Sequence, residues 1–401
     1  MARLAGSSRL LRAINESAAL GHLLERGPLT RGDLRALTRL SKPTTSDVLR
    51  RLEEAGLAMI VGRTSGGPGP NADVYAANPN AAYAAAVSVR DTLSSATLPA
   101  LSAAVCDLTG TLRARAELHI DPRATDPVDA VTDALAEVCR QAGITMRQLD
   151  HVQVAVPGSY DARTDTVHHI DVPGWSRPGL VGELRRRVLK VVDVDNDVNL
   201  AAVAERHRGV AAQPAGGPGP DATEGFALLW LGEGIGLAID LAGTLLRGAR
   251  QGAGEIGYMP IGMPGPDGRP DFHDLVGGTA VEALARQHGF GARTAPAAVA
   301  LAVAAGTPQS AAFLAALAER IAVGLAAVVA VLDPPLVVLA GEVSQAGGEA
   351  LRAAVESALN TAGPLRTPIS STGVTDDAAL LGALDAALSA VREHLLSGLQ
   401  F

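Results

Sequence analysis

The chain is short of cysteine and of aromatic side chains. Two cysteines in 401 residues, Cys106 and Cys139, permit at most one disulfide and exclude a cysteine-rich metal cage. A reducing, cytoplasmic setting is the simplest one for such a chain. Aromatics make up 3% while apolar residues reach 47%, so the core has to be built from Ala, Val and Leu. No apolar signal-like stretch opens the sequence. The longest apolar run, near Val323–Leu332, stops at Asp333-Pro334-Pro335 and reads as too short to cross a bilayer. These absences predict no membrane partner. The length allows two or three domains with a sizeable core.

The charge is unevenly spread. Residues 1–80 hold 11 basic and 7 acidic side chains, whereas the remainder holds 23 and 35. A small basic module on an acidic body fits a DNA-binding head on a ligand domain, although surface variation alone produces such imbalances.

Residues 7–26 read as an amphipathic helix ended by Gly27-Pro28. Thr30 reads as the cap of a short helix, Arg31 to Thr38, with Leu34 and Leu37 facing inward. A third helix, with Pro43 in its first turn, runs to about Ala55 on a stripe of Val48, Leu49 and Leu52. Two short strands follow, Leu57–Val61 and Val74–Ala76, around a glycine-rich tip. Three helices and a two-stranded wing predict a winged helix-turn-helix over residues 1–80. Lys42, Thr44, Thr45, Ser46, Arg50 and Arg51 are expected on the exposed face of the third helix, and Arg63 on the wing. Such side chains reach phosphates and base edges. Asp47 counts against DNA contact if it faces outward, and the same fold also serves protein docking or dimerisation.

Strands and helices alternate from about Ala84. The sharpest feature lies at 225–258. An apolar strand, Phe226–Leu231, enters the turn Gly232-Glu233-Gly234-Ile235-Gly236, and a second strand, Leu237–Leu241, leaves it. Such a loop brings bare backbone N–H groups close to an anionic or polyhydroxy ligand. Gly254-Glu255-Ile256-Gly257 then sets a carboxylate between glycines. Asp195-Asn196-Asp197-Val198-Asn199 opens a helix over Leu200–Arg208, and a long helix over Ser310–Leu332 delivers the strand Leu336–Leu339.

Taken together, VPGSYD (156–161), PGW (173–175), VDNDVNLAAVAE (194–205), GEGIG (232–236), GAGEIGY (252–258) and LDPPLVVLAGEVSQAG (332–347) resemble the ROK family of repressors, open reading frames and sugar kinases. The resemblance runs from end to end. It implies an α/β chain with an N-terminal winged helix-turn-helix, then a two-lobed actin/hexokinase-like (ribonuclease H-like) domain over 81–401. The small lobe is expected at about 81–195 plus 376–401, the large lobe at about 196–375. Members with the winged helix are sugar-responsive transcriptional regulators; those without it are usually kinases.

By family position Asn196, Asp197 and Glu255 match sugar contacts. Tyr258 replaces a contacting His, and Asp274 stands near a third carboxylate on a shifted loop. Asn196 and Asp197 also read as a plain helix cap. Asp197 stands where the kinases keep their base. The first phosphate loop of the kinases should lie near 90–98, but the chain reads VSVRDTLSSATLPAL there, with Asp91 and no glycine. In the second loop, Gly232, Gly234 and Gly236 remain, while Glu233 replaces the usual Thr and repels a triphosphate. This reads as a degenerate phosphate loop without ATP binding. The family's structural zinc needs a His and three cysteines; Tyr258 and PGPDGRPDFHDL (264–275) stand there, so no metal is expected, nor any cofactor. His273 then reads as a loop or pocket-lining residue.

The expected function is a sugar-responsive DNA-binding regulator, a repressor of carbohydrate-metabolism genes. It is expected to be a homodimer or higher oligomer on an inverted-repeat operator, with a sugar or sugar-phosphate effector and no catalysis. The alternatives are an ATP-dependent sugar kinase carrying a DNA-binding module, and a ligand-free regulator that uses its body only to dimerise.

Overall fold

The computed structural model describes residues 2–64, 72–90, 100–212, 224–263 and 268–398, the segment 2–9 by its backbone alone. Most of the expected wing tip (62–73), of the first phosphate loop expected near 90–98, Asp91 included, and of the loop expected at 211–223 lies outside these residues.

Local caps build the head. Helix α1 spans Ala2–Arg26, and Gly27 after it is left-handed. Strand β1 (Leu29–Thr30) leads into α2 (Arg31–Thr38). The Thr30 hydroxyl accepts from the Asp33 N–H, and the Asp33 carboxylate accepts from the Thr30 N–H, a reciprocal cap. Ser41 caps α3 (Lys42–Glu54), with Pro43 in its first turn. Strands β2 (Ala58–Arg63) and β3 (Asp73–Ala77) complete the wing in the order β1-β3-β2. Leu20, Leu23, Leu34, Val48, Leu49 and Leu52 close one small core. Leu37 is only half-buried.

The chain divides into two compact units, one of Met1–Val154, Asp171–Val194 and Ala383–Phe401, the other of Ala155–Ile170 and Asp195–Gly382. In the first, β4 (Tyr83–Val89), β5 (Leu101–Asp107) and β6 (Leu112–Leu118) precede α4 (Pro127–Ala142) and β7 (Leu149–Val156). A hairpin of β8 (Ser159–Asp161) and β9 (Thr166–His168) belongs to the second unit. The chain then passes through α5 (Leu180–Val188) to β10 (Val191–Asn196). The sheet order is β10-β7-β4-β5-β6. Both β4 and β5 are buried along their whole length. Their Ala- and Val-rich sequence suits strands covered on both faces.

The second unit begins with α6 (Asp197–Arg208). Its sheet draws on β11 (Phe226–Leu231), β12 (Ile235–Leu241) and β13 (Thr244–Leu245). Helices α7 (His273–Val276), α8 (Gly278–Gln287), α9 (Ala295–Ala305) and α10 (Pro308–Leu332) follow. Strand β14 (Val337–Ala340), α11 (Glu342–Ala362), β15 (Ile369–Ser371) and α12 (Ala378–Gly398) end the chain. The order is β13-β12-β11-β14-β15, with β11 and β12 antiparallel and β14 parallel to both β11 and β15.

Helix α10 corrects one expectation. It begins at Pro308, two residues before the expected start, and its whole 25-residue span, unlike the run from 323 alone, passes by length and composition as a bilayer-crossing helix. Its Phe313, Leu317, Ile321 and Leu325 are fully buried among α7–α9, α11 and the sheet, and Phe272 lies against Gly324, where a side chain would collide with its ring. It is the core helix of its unit. The helix expected from Leu200 starts three residues earlier, at Asp197.

Candidate functional site

The site grows from the junction of β10 and α6. Asn196 is the cap: its Oδ1 accepts from the Val198 and Asn199 N–H groups at 2.9 and 3.1 Å. Its Nδ2 donates to the Gly158 carbonyl at 3.3 Å, tying the junction to the turn before β8. Asp195 fixes the same junction from within. It accepts from the Asn199 amide on one oxygen and from Arg247 on the other, at 2.9 and 2.6 Å.

Asp197 stands first in α6 and accepts from the Val198 N–H at 2.8 Å. The residue is half-buried but its carboxyl lies among protein atoms. Burial pushes its pKa up to about 7; the negative charges of Glu342 and Glu255 add to the rise, and the Val198 N–H opposes it. Glu255 is reached from the other side: the Ser159 hydroxyl donates to its Oε1 at 2.5 Å. Gly254, just before it, has φ of +94°, and a side chain there would run into the Leu237 carbonyl. Only glycine lets this segment lie against β12.

The glycine turn is lined with carboxylates. A side chain at Gly232 would collide with the Glu342 carboxylate and crowd the Trp230 indole N–H, so Glu342 lies directly over the turn. Glu342 is the first residue of α11, set by Gly341 at φ +88°. Glu233 lies beside Gly278 at the start of α8, and its carbonyl accepts from the Gly278 N–H at 3.3 Å.

Of the expected sugar contacts, Asn196, Asp197 and Glu255 come together. Tyr258 is 60% exposed, with its ring 5.2 Å from that of His169, just after β9. Asp274 departs from expectation. It is exposed and exchanges hydrogen bonds with Asp271, its Oδ2 accepting from the Asp271 N–H at 3.0 Å and its own N–H donating back at 3.2 Å. This local exchange at the start of α7 engages one oxygen of the carboxylate that was expected to meet a ligand. His273 likewise lies in α7 rather than in a loop. Among the described residues, no three His, Cys, Asp or Glu side chains are gathered so as to hold a metal ion.

Three participants escaped the sequence reading: Ser159, Glu342 and the Asp195–Arg247 pair. Ser159 and Glu342 stand inside motifs already noted, VPGSYD and LAGEVSQAG. The glycine before Glu342, directly after a strand, is the one local signal that marked it.

On the head, Lys42 and Arg50 are exposed, and Thr44, Ser46 and Arg51 half-exposed. Thr45 corrects the expectation: it is 2% exposed, and its hydroxyl donates to the Ser41 carbonyl. Its spacing to Val48, Leu49 and Leu52 places it on the buried stripe. Arg50 is held by Asp47 and Glu54 at 2.5 and 2.6 Å. Arg51 pairs with Asp47 at 3.1 Å and with Glu16 at 3.5 Å. Arg63 is exposed and pairs with Asp73.

A winged helix-turn-helix, two five-stranded α/β sheets, and a glycine turn in the same unit as the Asn196-capped start of α6 define the class. Residues 99–390 match the ROK family and residues 11–60 the MarR family. The chain belongs to the ROK family. The xylose repressor of Bacillus subtilis (strain 168) is 22% identical over 259 residues, 64% of this chain and 62% of that protein. The chain therefore spans under two thirds of that relative's length. A crystal structure of a ROK family transcriptional regulator, a homologue of the E. coli MLC protein, aligns with 98% of this chain and 99% of its own, with a TM-score of 0.70 at 17% identity. A ROK hexokinase from Thermus thermophilus aligns with 78% of this chain and 99% of its own, with a TM-score of 0.61 at 23% identity.

Proposed function

We propose that this protein is a sugar-responsive, DNA-binding transcriptional repressor in which a kinase-like domain senses a sugar instead of phosphorylating it. The observation that carries the reading is Glu342 seated over Gly232, with Glu233 on the same turn. A loop that cradled nucleotide phosphates would now set carboxylates against them. The winged helix in the same chain supports DNA as the partner. The names of the xylose repressor and of the ROK regulator agree with this reading.

In this reading residues 1–80 form the DNA-binding head and 81–401 the sensor, with its lobes at about 81–195 plus 376–401 and 196–375, except that 155–170 and 376–382 group with the second. The protein is a cytoplasmic homodimer or higher oligomer on an inverted repeat. Asn196, Asp197 and Glu255 grip vicinal hydroxyls, and Tyr258 offers its own. Lys42, Thr44, Ser46, Arg50 and Arg51 contact the operator, with Arg63 on the wing. A sugar acts only through its differential affinity for two states of the protein.

Fluorescence anisotropy of an operator fragment, with and without a sugar panel, tests the reading. Asp197→Ala should abolish the sugar response and leave sugar-free DNA binding unchanged; a normal response in this variant refutes the pocket assignment.

The kinase reading is favoured by the burial of the Asp197 carboxyl, which pushes its pKa up to about 7 and suits a general base. A coupled ADP-release assay over the same panel separates the two, and robust turnover establishes the kinase.

A further inference from the structure

We propose that the effector is an uncharged sugar, and that Glu342 is the residue that turns its phosphorylated forms away. The proposal rests on the reading of Asn196, Asp197 and Glu255 as the effector site, and it concerns the charge that site accepts.

The acidic groups around the glycine turn come from four places in one unit. Asp197 opens α6, Glu255 follows the Gly254 bend, Glu233 sits on the turn itself, and Glu342 opens α11. Glu342 and Glu255 both act on Asp197 as neighbouring negative charges. Arg247 is committed to Asp195 in a two-point pair.

Glu342 is the first residue of α11, a helix interrupted soon afterwards by the non-helical backbone of Gly348. Its carboxylate holds the space beside Gly232 that a side chain there would fill. A phosphate arriving at this turn has to displace Glu342 or lie beside it, and either route is opposed by like charge. A neutral polyol meets no such opposition. Its hydroxyls are donors, and carboxylates are acceptors. The arrangement thus selects against one chemical form of a sugar by repulsion while keeping contacts that both forms share.

The test is calorimetry on the full chain with D-glucose and N-acetyl-D-glucosamine, each beside its 6-phosphate, and with D-xylose and D-mannose. At least one neutral sugar is expected to bind. Wherever a sugar and its phosphate are both tested, the phosphate should bind at least ~10-fold more weakly, with the gap narrowing as salt rises. Glu342→Gln should strengthen phosphate binding by about tenfold and leave the neutral sugar within about twofold. A wild-type protein that binds a 6-phosphate as tightly as its parent sugar overturns the inference and leaves the effector site standing. A folded Glu342→Gln protein with the wild-type ratio removes Glu342 from the explanation. If no sugar of either form binds, the effector-site reading fails, and this inference with it. Should Glu342→Gln not fold, the wild-type ratio and its salt dependence decide alone.

Discussion

Asp197 has two jobs that conflict. As first residue of α6 it favours a negative charge, which suits a helix start. As a carboxyl among protein atoms near Glu255 and Glu342 it favours the neutral form, and the second influence wins, with a pKa of about 7. The consequence for stability follows from linkage. The unfolded chain releases this proton near the ordinary value of 3.8, the folded chain only near 7. Between these values the folded state holds the extra proton, so its stability is full below the unfolded pKa and falls as pH rises through 7. From pH 5 to 8 the interval in play is about two units, or ~2.7 kcal/mol at 1.36 per unit, reduced to about 1–2 kcal/mol by the partial exposure of the residue. Asp197→Asn should therefore flatten the decline. Thermal denaturation of both proteins at pH 5 and pH 8 checks this; an equal decline in the two shows that Asp197 is not the group responsible. On the head, Arg50 is shared between Asp47 and Glu54. Glu54→Gln should release it and tighten operator binding, whereas Arg50→Ala should weaken it and lower the salt slope by about one ion. Anisotropy titrations at several salt concentrations read both effects.

At the scale of elements, α6 is held at both ends. Asn196 anchors its start, and Glu205 its end. Glu205 is fully buried, and its carboxylate accepts from the Val210 N–H at 2.6 Å, the Gly373 N–H at 2.9 Å and the Thr372 hydroxyl at 2.6 Å. Glu205→Ala leaves these donors buried without a partner and should cost about 3 kcal/mol or more, whereas Glu205→Gln, which keeps one acceptor oxygen, should cost about 1–2. Urea denaturation distinguishes the two; equal stabilities would mean water replaces the carboxylate. Elements set by neighbours in sequence were legible beforehand. The Thr30 cap of α2 and the Val48, Leu49 and Leu52 stripe of α3 emerge as expected, because caps and helical stripes are local patterns. Thr45 was misplaced because its hydroxyl suggested solvent, while the helical spacing put it among Val48 and Leu52. The Ser159–Glu255 bond joins residues 96 apart, and Glu342 meets the turn from a helix more than a hundred residues later. Periodicity carries no information about such pairings. Asp274 matched a ligand contact by its place in the family pattern, but its carboxylate accepts from the Asp271 N–H at the start of α7.

At the scale of the molecule, the two ends of the chain meet in the first unit. The Ser17 hydroxyl on α1 donates to the Leu396 carbonyl near the end of α12 at 2.8 Å, and Leu395 and Leu396 pack against the core of the winged helix. Arg392, one turn earlier, donates to the Leu108 carbonyl at 3.1 and 3.0 Å. The same helix contributes residues to both units, since Gly382 lies on the backbone of Leu200 in α6 and a side chain there would collide with it. The head is therefore not a free appendage; its small core is completed by the last turns of α12. A core of this size gains much from two half-buried leucines. Each contributes about 1 kcal/mol, half the value of full burial. Replacing Leu395 and Leu396 by serine should thus lower the stability of the head by roughly 2 kcal/mol or more, because each serine also brings a hydroxyl to an apolar contact. Hydrogen exchange should speed up in α1 and α3 first, while α10 in the second unit keeps its protection. Operator affinity should fall with the head's stability, and sugar affinity should not. If α1 and α3 exchange as slowly in the double variant as in the wild type, the head stands without α12, and its tie to the C-terminal helix is a contact of no energetic consequence.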